Sequence, residues 1–417
     1  MPTRCGSRAS TTAARRSSDN ASTHPGIKDS MQHCNTRLAL LLLALPACDI
    51  TEREIGESRE RWSVLVDDTD ATALAELADG DLVVVAEQWT GAGAQPYSSP
   101  SRGLVTRHDA NAEIVWQRAE VHATLPNLRF DDVAVGPDGT VVAVGHATDE
   151  RNDYDPQLIR VVRAFSAAGE PMWAIEAPDL PDDLIAARDD GTFLLAGNVG
   201  ELVVLGGDGS IGATVSLAAA GDDSTEWRGL VPRADGSAIG HLTHYGALGV
   251  SEEVLALDAT LSRTASTMLA ETGNQRSTSD GGAGMLLVSV HKSTPDDPHH
   301  HDTEVLAVVP GADATTIYTE LDSQFAYHSA ALKPGGVLAL VGRLTDRSDA
   351  DDSAAVIREI DLESGESLWK ITRRGGNATH GQDAGYVERV LALASGDLAV
   401  VGSLSYSTGW FGVFAGD

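Results

Sequence analysis

Short runs of alternating apolar and polar residues follow one another along most of the chain and are separated by glycine-containing turns. Asp-Gly between two such runs is a strong hairpin signal, because glycine accepts the positive φ that these turns need. The pattern occurs seven times, 45 to 60 residues apart, with turn glycines at Gly80, Gly139, Gly191, Gly236, Gly281, Gly336 and Gly396. An internal repeat of this length predicts one structural unit per copy.

A second hairpin follows the first in most copies. In the second copy, Leu158–Ser166 turns into Pro171–Glu176, and in the sixth copy a strand ending near Leu362 turns into Ser367–Thr372. Four strands per unit of this size are typical of a propeller blade. We therefore predict an all-β fold, a seven-bladed β-propeller of four-stranded antiparallel blades over residues 59–417. A pair of β-sandwiches, or a smaller propeller with irregular blades, is the alternative.

The chain ends predict how the ring closes. Trp116, Trp173 and Trp369 lie 33 to 36 residues after their turn glycines, in the fourth strand of their copies. The seventh copy ends before its fourth strand, while Arg61–Asp67, with Trp62, precedes the first copy. We expect this N-terminal strand to complete blade seven, which removes a free edge. The four tryptophans are expected to pack in the core.

The D-G-x-Φ-Φ-Φ-x-G hairpins, with the turn and tryptophan strand at Ala167–Trp173 and Glu363–Trp369, resemble those of bacterial β-propeller repeat lipoproteins of the quinoprotein-like and delta-60 types. The resemblance covers Arg61–Asp417. It implies the propeller and little about function, because such repeats occur in unrelated roles. The Gly-His and Trp-Asp pattern of WD40 repeats is absent. Quinoprotein dehydrogenases carry adjacent cysteines near their cofactor, and residues 59–417 contain no cysteine. No cofactor is therefore expected.

The N-terminal segment predicts export and lipidation. Arg37 precedes the apolar run Leu38–Leu45, which is too short to span a bilayer but has the length of a signal-peptide core. Leu45–Cys48 resembles a lipobox, so residues 31–47 are expected to be a lipoprotein signal peptide and Cys48 the lipid anchor. Residues 48–58 form a tether, and residues 1–30 are a disordered leader or lie upstream of a start at Met31. The expected location is the bacterial envelope, periplasmic or outer surface; secretion after cleavage behind Ala47 is the alternative.

The net charge of −31 excludes some partners. A surface this acidic repels nucleic acid and anionic headgroups, so neither is an expected partner, and the membrane is reached only through the lipid. Cationic ligands, divalent metals and basic proteins remain open. The protein is expected to be a monomer that binds a protein or a small solute.

Long, varied loops are expected on the face where the chain crosses between blades, which is where function concentrates. The candidate binding residues on that face are His122, Trp227, Tyr327, His328, His380 and Asp383. A possible zinc site is a loop containing His299, His300, His301 and Asp302, and the acidic stretches 149–157 and 346–353 are possible calcium loops. A mobile polar loop without a metal is the alternative for each of these segments.

No catalytic motif is present, so no catalytic residue is assigned. The leading hypothesis is a lipid-anchored binding or scaffold module that uses its loop-rich face. An enzyme with a central-channel site, for which His122, His328 and His380 are the first candidates, is the alternative, as is a metal-binding protein. The sequence favours a protein that is not an enzyme.

Overall fold

The computed structural model describes residues 10–11, 59–90, 99–149, 158–181, 183–197, 200–218, 222–246, 249–269, 275–282, 284–294, 297–345, 353–374, 385–405 and 408–416. Within these residues every regular element is a β-strand. None of them forms a helix that is long and apolar enough to cross a membrane.

The strands are short and regularly spaced, as the repeat predicts. In chain order they are β1 (Ser10–Thr11), β2 (Glu60–Asp67), β3 (Thr69–Glu76), β4 (Leu82–Trp89), β5 (Ser101–His108), β6 (Ile114–Glu120), β7 (Asn127–Val135), β8 (Val141–Thr148), β9 (Leu158–Phe165), β10 (Pro171–Ala177), β11 (Leu184–Ala187), β12 (Phe193–Ala196), β13 (Glu201–Leu205), β14 (Ile211–Ser216), β15 (Asp222–Pro232), β16 (Ala238–Gly246), β17 (Gly249–Leu257), β18 (Arg263–Leu269), β19 (Gln275–Asp280), β20 (Leu286–Thr294), β21 (Asp297–Val308), β22 (Thr315–Ser323), β23 (Phe325–Lys333), β24 (Val337–Thr345), β25 (Ser353–Asp361), β26 (Ser367–Arg374), β27 (Tyr386–Ala392), β28 (Leu398–Ser405) and β29 (Thr408–Phe414).

Seven antiparallel sheets form the blades of a propeller, which confirms the predicted fold. Blades one to six each consist of four consecutive strands, from β3–β6 to β23–β26. Blade seven consists of β27, β28 and β29, and its outer strand is β2, with Leu65 opposite Trp410. The N-terminal strand therefore closes the ring as expected. The short β1 pairs with the outer edge of β2.

The repeated turn glycines have the conformation that the hairpins require. In six copies the predicted turn glycine has a φ between 80° and 87°. In the fifth copy the prediction of Gly281 is wrong, because Gly282 holds the positive φ of 68°. The aspartate before the glycine also fixes the turn. Asp138, for example, accepts the backbone N–H of Thr140 at 2.9 Å, which lowers the pKa of its carboxyl.

The aligned tryptophans pack against the neighbouring blade, as predicted. Trp116 in blade one donates its indole N–H to the carbonyl of Ala167, in the outer turn of blade two, at 2.9 Å. Trp173 in blade two likewise donates to Gly207 in blade three at 2.8 Å. Trp62 stacks on His108 of blade one, with 6.5 Å between ring centroids. Each indole therefore joins one blade to the next.

The innermost strand of five blades contains a β-bulge beside the second strand. The bulged residues are Thr72, Asp131, Arg228, His328 and Glu388. In three of these blades a glycine in the second strand accommodates the bulge. A Cβ on Gly145, for example, would lie 2.1 Å from the carbonyl oxygen of Arg129. This close approach explains the second glycine of the repeat, because any side chain there would collide with the backbone of the inner strand.

We expect Gly169→Ala to destabilise the fold more than the same substitution at Gly365. The new Cβ would lie 2.6 Å from the Trp116 ring at a residue whose φ is +77°. The positive φ alone costs about 1 kcal/mol, and the clash adds roughly 1–3 kcal/mol. The control is Gly365→Ala, at φ +74° with nothing within 4 Å of the new Cβ. The free energies of unfolding in urea give the difference. Equal losses in both variants would show that the indole contact does not hold the blades together.

Candidate functional site at the channel mouth

The seven innermost strands surround a central channel with a volume of 980 Å³, which is large enough for a small ligand. Each inner strand begins at the face where the chain crosses between blades, called the crossing face here, and ends at the glycine turns. All seven strands contribute to the wall, through Leu74, Val133, Ile185, Leu230, Ser279, Ser329 and Val390 among others. Arg228, His328 and Glu388 come earlier in their inner strands than the aliphatic wall residues, and Ser279, Asp280 and Ser329 add polar groups further along the channel. The wall therefore has charged residues at its crossing-face mouth and a mixture of polar and apolar residues below it.

The β-bulges supply three polar groups at this mouth. Arg228, His328 and Glu388, from blades four, six and seven, all line the channel. A bulge redirects a side chain that would otherwise follow the alternation of its strand. The three residues therefore face one cavity although they are far apart in the sequence.

An ion pair joins blade seven to blade two, the two blades that flank blade one. Arg389 of blade seven contacts the carboxylate of Asp132 in blade two. The other oxygen of Asp132 accepts the backbone N–H of Ile185 in blade three at 3.0 Å. Asp132 is buried, whereas the side chain of Arg389 is 38% exposed at the mouth. The pair therefore fixes the wall and leaves part of the guanidinium accessible.

Glu388 is the carboxylate at this mouth that has no hydrogen bond or ion pair with any described residue. Its side chain is open to the channel solvent, while protein surrounds it on most sides. This partial loss of water raises the pKa of Glu388, and the nearby Asp70 raises it further, although Arg389 and Arg129 oppose the shift. A negative charge at Glu388 is therefore incompletely compensated, which favours a cationic group beside it.

Arg228 lies on another arc of the mouth. Its Nη2 contacts Glu226 at 2.6 Å and donates to the hydroxyl of Tyr245 at 2.7 Å, and its Nε donates to Thr243 at 3.3 Å. The side chain is 39% exposed. These contacts fix one edge of the guanidinium, and the rest of the group remains accessible from the channel.

Blade four also contains a histidine that the sequence analysis missed. His241 is fully buried, with its Nδ1 2.6 Å from the hydroxyl of Thr278 and its Nε2 3.2 Å from Glu252. Thr278 and Glu252 both line the channel. An alignment of the copies would have singled out His241, because five other copies have a buried valine or alanine at this position, namely Val85, Val144, Ala196, Val341 and Val401.

Two predicted surface aromatics are core residues. β15 and β23 begin earlier than expected, so Trp227 and Tyr327 lie inside strands and not in crossing loops. Trp227 is 3% exposed and its ring covers Gly240. Tyr327 is 2% exposed, accepts a hydrogen bond from Arg358 at 3.4 Å, and has its pKa raised by burial. Both contribute to the channel wall, together with His328, so they lie in the wall of the cavity and not on exposed crossing loops; their role in binding stays a prediction.

His122 has a structural position at the outer rim. Its Nδ1 accepts the backbone N–H of Leu125 at 3.0 Å, and its Nε2 lies 3.3 Å from Glu176 of blade two. It follows the outer strand of blade one and does not line the channel cavity. His380 and Asp383 lie outside the described residues, as does Cys48.

The histidine-rich segment is not the loop that was expected. His299, His300, His301 and Asp302 belong to the strand β21. The histidine side chains lie outside the described part of the structure, and Asp302 is half-buried. Residues 150–157 and 346–352 of the acidic stretches are likewise not described. Among the described residues, no three His, Cys, Asp or Glu side chains are grouped closely enough to hold a metal ion. Zinc or calcium binding stays a prediction.

We expect Glu388→Gln to stabilise the fold at neutral pH. The folded protein raises the pKa of Glu388 above its ordinary value of 4.5, so ionisation of this carboxyl destabilises the native state at higher pH. The variant should gain at most about 1 kcal/mol at pH 7, because channel solvent screens the charge. The gain should disappear at about pH 3, which is below the ordinary pKa of 4.5, because the carboxyl is then protonated in the folded and the unfolded states. Urea unfolding of the wild type and the variant at both pH values measures the difference in free energy of unfolding. If the variant is less stable than the wild type at pH 7, the charge of Glu388 is compensated in the folded protein.

Comparisons with known proteins identify no family for this chain. No protein-family model matches the chain, and no curated protein is similar to it in sequence. The similar solved structures include BamB from Moraxella catarrhalis (13% identity, 85% of this chain and 99% of that chain, TM-score 0.44), the Dos1 propeller (8%, 84% and 93%, 0.48) and the C-terminal WD40 domain of Sif2 (12%, 84% and 98%, 0.43). At these identities and TM-scores the likeness says nothing about the function of this chain.

Proposed function

We propose that the protein is a monomeric binding module, held at the bacterial envelope by lipid on Cys48, which receives a cationic group of its partner in the crossing-face mouth of the channel. The cationic group is an ammonium or guanidinium, such as a lysine or arginine side chain of a basic protein. The propeller fold supports a binding role in general; the tether and the partner class are the proposal.

The observation that carries the partner class is the carboxylate of Glu388. It faces the cavity without a hydrogen bond or ion pair to a described residue, and Asp70 nearby adds negative charge. A cation at this position would restore the charge balance and gain a charge-assisted hydrogen bond. The net charge of −31 also attracts basic partners over longer distances and speeds their association.

The sequence before the propeller supports the tether. Residues 31–47 have the proportions of a signal peptide, and Leu45–Cys48 resembles a lipobox. Residues 48–58 would separate the lipid from the first strand of the ring. A lipid with more than one acyl chain gives a stable anchor, because each buried methylene contributes about 0.8 kcal/mol.

We expect a short lysine-rich peptide, labelled with fluorescein, to bind the protein and to depend on Glu388. Fluorescence anisotropy gives its Kd at low salt. Glu388→Gln should weaken binding about tenfold, which corresponds to about 1.4 kcal/mol. Binding should also weaken as the pH falls through the raised pKa of Glu388, because protonation removes the charge that holds the peptide.

The matched control is Asp313→Asn, which removes one charge from an exposed turn of blade five. It should leave the Kd within about twofold of the wild-type value, as screened surface charges do. A glutamate-rich peptide should not bind. If Glu388→Gln and Asp313→Asn weaken binding equally, the attraction is a general effect of net charge and the mouth is not the binding site.

Lipidation is tested separately by Cys48→Ser in a bacterial host supplied with radiolabelled palmitate. The wild-type protein should incorporate the label and sediment with membranes, whereas the variant should be unlabelled and soluble. Cys34→Ser serves as the control and should be labelled like the wild type, because Cys34 precedes the apolar run. A labelled Cys48→Ser variant, or an unlabelled wild-type protein, would exclude the anchor.

A further inference from the structure

The wall between blades four and five contains a hydroxyl, an imidazole and a carboxylate in series. The Nδ1 of His241 lies 2.6 Å from Thr278 Oγ1, and its Nε2 lies 3.2 Å from Glu252 Oε2. His241 is completely buried in β16. The two ends of the series, Thr278 on β19 and Glu252 on β17, line the channel cavity. The histidine is thus hidden, while Thr278 and Glu252 lie beside the cavity.

The hydrogen bonds favour one protonation state. A carboxylate beside Nε2 favours the tautomer that has its proton on Nε2, so the lone pair of Nδ1 is directed at the threonine hydroxyl. A nucleophile and a base within hydrogen-bond reach, with the base oriented by a third group, form the arrangement that activates a serine or threonine hydroxyl. Neutral His241 can therefore take the proton of Thr278.

The backbone of blade four is adapted to this contact. A Cβ on Gly229 in β15 would lie 2.4 Å from Cγ2 of Thr278, so only glycine allows β19 to approach this closely. Arg228, the preceding residue, is 39% exposed at the mouth and donates to Thr243, two residues from His241 on the same strand. Its guanidinium lies on the same wall and can attract a negatively charged oxygen.

A second series on the opposite face of blade four serves as an internal comparison. His244 lies 3.3 Å from the Thr225 hydroxyl and 3.4 Å from Glu253, and Arg263 contacts the other oxygen of Glu253 at 2.9 Å. Thr225 is 1% exposed and Glu253 is 4% exposed, and neither lines the channel. The two series have the same residue types, but only that of His241 has its threonine beside the cavity and a short contact between the imidazole and the threonine hydroxyl.

We propose that the channel is an esterase site for small carboxylic esters, with Thr278 as nucleophile, His241 as general base and Glu252 as the positioning residue. Thr278 Oγ1 attacks the ester carbonyl while its proton passes to His241 Nδ1. The bond to the alcohol breaks, and the alcohol leaves with that proton. The acyl group remains on Thr278. Water then attacks it, gives a proton to His241, and releases the acid as the proton returns to Thr278.

The test uses 4-nitrophenyl acetate as the probe and the full chain as the enzyme. The wild-type protein should release nitrophenolate faster than buffer, and mass spectrometry should find an acetyl group on Thr278. Thr278→Val and His241→Gln should each lower kcat/KM by roughly 100-fold or more. Thr278→Ser should retain turnover, because it keeps the hydroxyl. Circular dichroism and thermal unfolding establish that each variant is folded.

The control variants are Thr225→Val and His244→Gln, which change the same residue types in the second series and should keep wild-type kcat/KM. Glu252→Gln should lower kcat and move the acidic limb of the pH–rate profile to lower pH, because His241 loses the carboxylate that stabilises its protonated form. Wild-type turnover equal to buffer, acetylation elsewhere, or equal losses in the control variants would overturn the proposal.

Discussion

Every blade of this protein has two largely apolar faces, and the fold depends on covering all of them at once. A ring achieves this only when its last blade meets its first. Here β2 both pairs with β29 and contributes Trp62 and Val64 to the core between blades seven and one. The same segment therefore satisfies backbone hydrogen bonds and covers apolar surface. Without it, the edge of β29 and the side chain of Phe411 would both be open to water.

Closure also determines where polar chemistry can lie. Seven inner strands meet around one axis, and five of them contain a β-bulge near the crossing face. A regular strand would direct alternate residues into the neighbouring blades, where polar groups are costly. The bulge places Arg228, His328 and Glu388 at the channel. Thus the irregular parts of blades four, six and seven supply polar groups to the site, while the regular parts of the repeats provide the core.

The fold was predictable from the sequence because its determinants are local. Asp-Gly turns, alternating runs and the distance of 33 to 36 residues from turn glycine to tryptophan lie within single copies. Trp62 marks the closing strand because it precedes Gly80 by 18 residues, as Trp173 precedes Gly191. The site depends on contacts between copies. Trp227 and Tyr327 lie in segments that the sequence assigns to crossing loops. Both are buried, because their strands begin slightly earlier than expected. His241 and Thr278 are 37 residues apart and meet only because two blades are neighbours.

Blade four has a buried polar residue at a position where other blades have apolar packing. At the position of His241, five other copies have a buried valine or alanine, and those residues fill the gap to the next blade. A buried imidazole and carboxylate stabilise a blade less well than a well-packed apolar pair, and they are costly if either partner is lost. A fold that tolerates valine at this position in its other blades does not need histidine to form. The polar series between blades four and five is therefore better explained by the channel it borders than by the stability of the ring.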